Sequence, residues 1–164
     1  MKNVILFASI VVASGLLMAN VYNSLIDAQS WGSNLPGSIE TARNYFKTVN
    51  PGHFYRLFSP INQVLGLLCL IVFWKTAPAA RLYLGVALIM QIAADVMTFS
   101  YFYPRNDVLF ISASLTDVAT LKQVWSEWNA MNWVRSAIVL AGVVFSLVAL
   151  HKIYSVKTKS LSLN

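Results

Sequence analysis

The sequence predicts an all-α, polytopic membrane protein, a four-helix bundle in up-down order with amphipathic helical segments in its two outer loops. Two observations carry this. Hydrophobic residues make up 57% of the chain and charged residues 11%, against about 25% charged in an average soluble domain. The apolar residues also gather in four blocks, each near the roughly 20 residues that a spanning helix needs. At 164 residues the chain has room for one domain, expected over residues 1–155. A Lys/Ser-rich tail, 156–164, reads as disordered and cytoplasmic.

The first block runs from Val4 to Val21. Lys2 and the small trio Ala13, Ser14 and Gly15 also fit a cleaved signal peptide. The apolar pattern continues through Leu16, Leu17, Met18 and Val21, however, and favours a retained helix. The second block, Pro60 to Trp74, is short and gains length from Phe54, Tyr55 and Phe58 before it; Ser59-Pro60 has the form of an N-cap followed by a first-turn proline. The third is Leu82 to Tyr103, with Pro104 expected to stop it, and the fourth is Met131 to Leu150. The tight turn between the second and third, with Pro78 to stop a helix, makes those two antiparallel neighbours.

In the first outer loop, Ile39, Ala42, Tyr45, Phe46 and Val49 recur at helical spacing. The segment 39–49 is therefore expected as an amphipathic helix on the membrane or on the bundle mouth, with Ser38 as N-cap and Asn50-Pro51-Gly52 as its break. In the second, a helical pattern starts near Thr116 or Asp117 and passes through Leu121, Val124, Trp125 and Trp128 into the fourth span. An unbroken helix and a bend near Asn129 to Asn132 fit this pattern equally.

Charge sets the expected orientation. Lys2, Lys75, Arg81, Lys152, Lys157 and Lys159 share one side without an acidic residue. Arg43, Lys47, Arg56, Arg105 and Lys122 share the other with Asp27, Glu40, Asp107, Asp117 and Glu127. The short KTAPAAR turn decides for both termini in the cytoplasm and a plasma (inner) membrane location. The net charge of +6 thus reflects topology, and no nucleic-acid partner is expected.

Polar residues inside a span are expensive and point to function by default. Asn20, Asn23 and Asp27 follow helical steps in the first span, Asn62 and Gln63 open the second, Gln91 and Asp95 are one turn apart in the third, and Asn129, Asn132, Arg135 and Ser136 recur in the fourth. Counted from the cytoplasmic ends at the α-helical rise, Gln63 lies about 17 Å, Asp95 about 21 Å and Arg135 about 24 Å deep, so the four helices bring these groups to one layer. Asp95 and Arg135 are the expected ionisable pair, and with His53 above the cavity they are the candidate catalytic residues. Trp128 joins the polar residues as a candidate ligand contact. Most aromatic residues fall in the outer half or outer loops, a lopsided distribution for an interfacial belt, which should mark both faces. It points to an aromatic-walled cavity for a hydrophobic small molecule, aromatic ones included. A register-holding polar network is the competing explanation.

A single cysteine, Cys69, excludes an intrachain disulfide; His53 and His151, expected on opposite faces, argue against a bis-histidine haem. No metal-ligand spacing, Gly-rich phosphate loop or nucleophile motif occurs, so no metal or cofactor is expected. Three segments carry a resemblance: ANVYNSLIDA at the end of span one, NPGHFYRLFSPINQ leading into span two, and WSEWNAMNWVR entering span four. In these and in size the chain resembles the anthrone-oxygenase-like family of small four-helix membrane proteins. The resemblance implies conversion of anthrones to anthraquinones without a metal or flavin motif; it designates no catalytic residue. Three function classes fit: an oxygenase-like enzyme, a transporter or binding protein for a lipophilic ligand, and an accessory subunit, any of them as a possible homo-oligomer.

Overall fold

The computed structural model describes residues 2–111 and 117–161, with side chains as far as 155. Four helical runs, Lys2–Gly32, Pro51–Phe73, Pro78–Ile111 and Val118–Ser155, are long and apolar enough to cross a membrane. The first comprises α1 (Lys2–Tyr22), a π-helical turn (Asn23–Asp27) and α2 (Ala28–Gly32). After it, α3 (Gly37–Tyr45) lies outside the spans, and α4 (Pro51–Phe73) is the second. The third run comprises a 3₁₀ turn at Pro78–Ala80, α5 (Arg81–Met97), a π turn (Thr98–Phe102), α6 (Tyr103–Asn106) and a further π turn (Asp107–Ile111). The last helix, α7 (Val118–Leu161), extends into the segment expected as a disordered tail; residues 162–164 lie outside the described ones.

Each helix turns a seven-residue apolar row outward: Val4, Val11 and Met18 on α1, Leu57, Val64 and Ile71 on α4, Leu82, Ile89 and Val96 on α5, Leu140 and Leu147 on α7. The interior instead holds small residues, Ala13, Gly66, Ala87, Ala94, Gly142 and Ala149. Water would reject that outward surface; lipid accepts it, and helices in lipid associate through close approach of small residues. In the bundle α1 contacts α4 and α7, and α5 contacts the same two. Hydrogen bonds from Asn3 to Tyr154 and from Trp125 to Ala28 join the start of α1 to the end of α7 and the end of that run to α7's beginning.

Several expectations need correction. The second span starts at Pro51, not Pro60. Asn50 is extended (φ −133°, ψ 164°), and its side chain accepts from Gly52 N at 2.9 Å while His53 Nδ1 accepts from Asn50 N at 3.2 Å, a reciprocal cap. Pro60 is then an interior residue. Pro104 does not stop the third helix, because π turns flank α6 and absorb the hydrogen bond that proline cannot donate. Pro78 opens the third run; α4 has already ended at Phe73. Ser38 is not an N-cap: it lies inside α3, accepts from Asn34 N and donates to Trp31 O. The first amphipathic segment is shorter than expected, and only Ile39, Ala42 and Phe46 of its apolar set pack inward, while Tyr45 and Val49 are exposed.

At the end of the bundle that carries α3, here the loop end, a hydrophobic cluster joins Trp31, Ile39, Phe102, Leu109, Leu121 and Trp128. The α3 helix is tied onto it by Arg43, which donates to the carbonyls of Leu109 (2.7 Å) and Val108 (3.3 Å). It therefore rests on the bundle mouth. A second cluster, including Leu6, Cys69, Phe73, Leu84 and Ala149, closes the opposite end. The unbroken α7 settles the choice between a bend and a continuous helix, and Asp117 caps it by accepting from Ala119 N and Thr120 N. Thr116, the other expected start, lies outside the described residues.

Candidate functional site

Two cavities lie one above the other and share Tyr55, Thr98 and Arg135 in their walls. The inner one is small, about 30 Å³, and is lined by Asn20, Ser59, Asn62, Gln91 and Asp95 together with those three. The chamber at the loop end measures about 640 Å³ and has walls of Trp31, Phe46, Phe102, Tyr103, Phe110 and Trp128. Of these two, the chamber falls in the size range of small-molecule sites, roughly 300–1,000 Å³; a cleft of about 660 Å³ at the opposite end, between Lys2, Leu70 and Trp74, lacks the polar layer. The inner cavity has the volume of one ordered water, which requires about two to four polar partners.

Arg135 stands between them, 5% exposed. Its Nη2 donates to Asn132 Oδ1 at 2.6 Å and its Nη1 to Thr98 Oγ1 at 3.2 Å. The guanidinium carbon sits 4.1 Å from the Phe102 ring centroid and 5.4 Å from that of Tyr55. The π turn at Thr98–Phe102 is what brings both Thr98 and Phe102 to it, since a π turn shifts the helix face relative to an α-helix. Asn132, fully buried, donates from Nδ2 to Asn20 O (3.0 Å) and Ser24 Oγ (2.7 Å), which fastens α7 to α1.

Asp95 and Arg135 line the same inner cavity but form no ion pair. Instead Gln63 Nε2 donates to Asp95 Oδ2 at 2.6 Å, and Ser59 lies in hydrogen-bonding reach of the same carboxylate. The guanidinium is held instead by Asn132, one turn earlier on its own helix, and by Thr98. Asn62 Oδ1, Gln91 Oε1 and Arg135 Nε are buried without a protein partner, and all three residues line this cavity. Such atoms, two acceptors and a donor, suit a small polar guest.

Other expected site residues are placed as follows. Asn20 accepts from Tyr55 Oη at 3.2 Å and Asn23 Nδ2 donates to it at 3.0 Å, so the phenol links two steps of the first helical run. Trp128 lines the chamber and donates from Nε1 to Asn106 Oδ1 at 2.8 Å, with Trp31 edge-on at 5.1 Å. Asn129 has a buried, unpartnered Oδ1 but lines neither cavity, and Asp27 is half-buried outside both. His53 is exposed at the start of α4, spent on the cap, and does not line the chamber.

The residues that sequence reasoning missed are Tyr55 as a polar hub, Ser24, Ser59 and Thr98. Tyr55, Ser59 and Asn62 follow steps of four and three, a signal that a helix beginning at Pro60 does not contain. Among the described residues no three His, Cys, Asp or Glu side chains converge as a metal site would need.

No curated protein and no solved structure matches this chain. A family model described as anthrone oxygenase matches residues 52–145. The matched stretch contains α4 from Gly52 onward, α5, the Thr98–Phe102 turn and α7 through Phe145, and with them Tyr55, Asp95, Thr98 and Arg135. It covers more than half of the sequence, and the chain belongs to the anthrone oxygenase family.

Proposed function

We propose that this membrane protein binds a flat hydrophobic aromatic molecule in the loop-end chamber and oxygenates a ring methylene group of it. The single observation that carries the reading is a chamber of about 640 Å³ with aromatic walls and the Arg135 guanidinium in its wall. In balance, a diaryl methylene and one dioxygen give a diaryl ketone and one water. Two C–H bonds break, one oxygen atom stays on carbon, and the other leaves in water. Carbon loses four electrons and dioxygen gains them.

The chain's part begins with the first proton. Its removal turns the anthrone carbonyl oxygen into an enolate oxygen, which is electron-rich enough to react with dioxygen. Arg135, already held by Thr98 and Asn132, faces that oxygen with a fixed positive charge. Donors positioned in advance at a developing oxyanion are the most effective electrostatic device in catalysis. Asp95 lies in the inner cavity, outside the chamber, and the proton reaches it through the hydroxyls of Tyr55 and Thr98, which line both cavities. The packed cluster of Leu6, Phe73 and Leu84 closes the far end and favours chemistry over passage through the bundle. The basic KTAPAAR turn supports a chamber that opens away from the cytoplasm.

The test is dioxygen uptake and anthraquinone absorbance with 1,8-dihydroxyanthrone, using the full chain in phosphatidylcholine nanodiscs. A rate above the spontaneous one is expected, with a fall of about a hundredfold in Arg135→Gln and in Asp95→Asn. Wild-type turnover in both variants would sink the assignment.

A further inference from the structure

The walls of the chamber are aromatic, but its charge is cationic. Lys47 and Arg56, both exposed, line its rim, Arg43 lines it while bonded to the Leu109 and Val108 carbonyls, and Arg135 forms its inner wall, against one acidic lining residue, Asp107. Arg56 donates from Nε to Gly52 O at 3.3 Å, and a Cβ built on Gly52 would stand 3.7 Å from Arg56 Nη2. That places the guanidinium over Gly52, itself a lining residue. The 23-residue helix α4 also opens its N-terminus onto the chamber through Pro51 and Gly52, which adds partial positive charge.

A neutral aromatic ligand has no use for a charged rim. We propose that the chamber selects a polycyclic ring bearing a carboxylate, held at the rim by Lys47 and Arg56 so that a keto oxygen of its central ring meets Arg135. This rests on the chamber being an aromatic-ligand site. Two cationic contacts, one at the rim and one inside, fix which end of the ring system enters first. A rim carboxylate thereby acts on orientation as well as on affinity. Lys47 and Arg56 are specificity-determining residues on this account; neither touches the reacting carbon. An anionic lipid headgroup offers the same chemistry as a free carboxylate, and the experiment separates the two.

The probes are anthraquinone-2-carboxylate and its uncharged carboxamide, titrated against the full chain in phosphatidylcholine nanodiscs. Binding is read by quenching of tryptophan emission, since Trp31 and Trp128 line the chamber. The carboxylate is expected to bind about tenfold more tightly, the factor of one charge-assisted contact. In Lys47→Gln/Arg56→Gln, both exposed positions, the ratio of the two affinities is expected to fall to near one. Soluble dihexanoyl phosphatidylglycerol at equal concentration is expected not to displace the carboxylate. Equal binding of the two probes by the wild type, or a ratio untouched by the double variant, overturns the selection and leaves the aromatic site standing. Displacement by the lipid overturns it in favour of a headgroup. Quenching by neither probe overturns both readings together.

Discussion

Arg135 Nη2 donates to Asn132 Oδ1 across 2.6 Å, and the opposite end of the same amide donates to Asn20 O and Ser24 Oγ on the first helical run. One asparagine thus orients the chamber's inner cation and ties the helix that carries it to a neighbour. Neither could be lost alone.

Asn132→Ala would leave Nη2 of a buried arginine and the Ser24 hydroxyl without this partner. A loss of about 2–3 kcal/mol is expected, since a buried group stripped of its hydrogen bond costs about 1–3 kcal/mol. Asn132→Asp keeps the acceptor for Arg135 and gives up only the donor, so it should lose less. Unfolding in mixed micelles checks the ranking; an alanine variant as stable as wild type would show that α1 and α7 are held together by other contacts.

Gly32 closes α2 against Trp125. A Cβ there would collide with the indole, whose Nε1 donates to Ala28 O at 2.6 Å. The ring must move, so Gly32→Ala is expected to cost about 1–3 kcal/mol, as overpacking does. Loosened packing at the loop end should also shift the tryptophan emission to the red. An unchanged spectrum with unchanged stability would contradict the close approach.

His53 caps α4, and its substitution should read out as stability. His53→Gln is expected to cost about 0.5–1 kcal/mol, and Asn50→Ala about 1 kcal/mol, in line with other N-caps. Turnover of the anthrone probe by His53→Gln should match the wild type once folded protein is counted. A hundredfold loss of turnover would return histidine to the chemistry.

Asp117 accepts from Ala119 N, Thr120 N and the Thr120 hydroxyl, and these bonds hold its carboxyl below the usual carboxylate range. With the folded value depressed, its stabilisation is present above the unfolded value of about 3.9 and disappears as pH falls through the folded one. Amide exchange at Ala119 and Thr120 should therefore accelerate relative to intrinsic rates in acid. Asp117→Asn still caps but does not titrate, and should flatten that dependence; an equally steep profile in the variant would place the titration elsewhere.

The expectations that failed share a cause. Ser59-Pro60 and Pro104 have the form of α-helix ends, yet Asn50 supplies a stronger cap upstream of the first, and π turns accommodate the second. The π turn at Asn23–Asp27 likewise defeats a count in α-helical steps. It keeps Asn23 buried and Asp27 only half so, and Ser24, which sequence reasoning passed over, is the fully buried residue that meets Asn132. A π turn has no composition of its own by which a sequence could announce it.

Hydrophobic composition and block length by themselves determined four membrane-crossing helices, because burial of apolar surface in lipid depends on local sequence alone. Helical spacing likewise determined that polar groups would meet at one level. Which of those groups touch was decided only by tertiary structure. A buried charge takes whichever partner the packing brings within hydrogen-bond distance, and here neighbouring helices deliver Gln63 to Asp95 while the last helix turns Arg135 to Asn132 and Thr98.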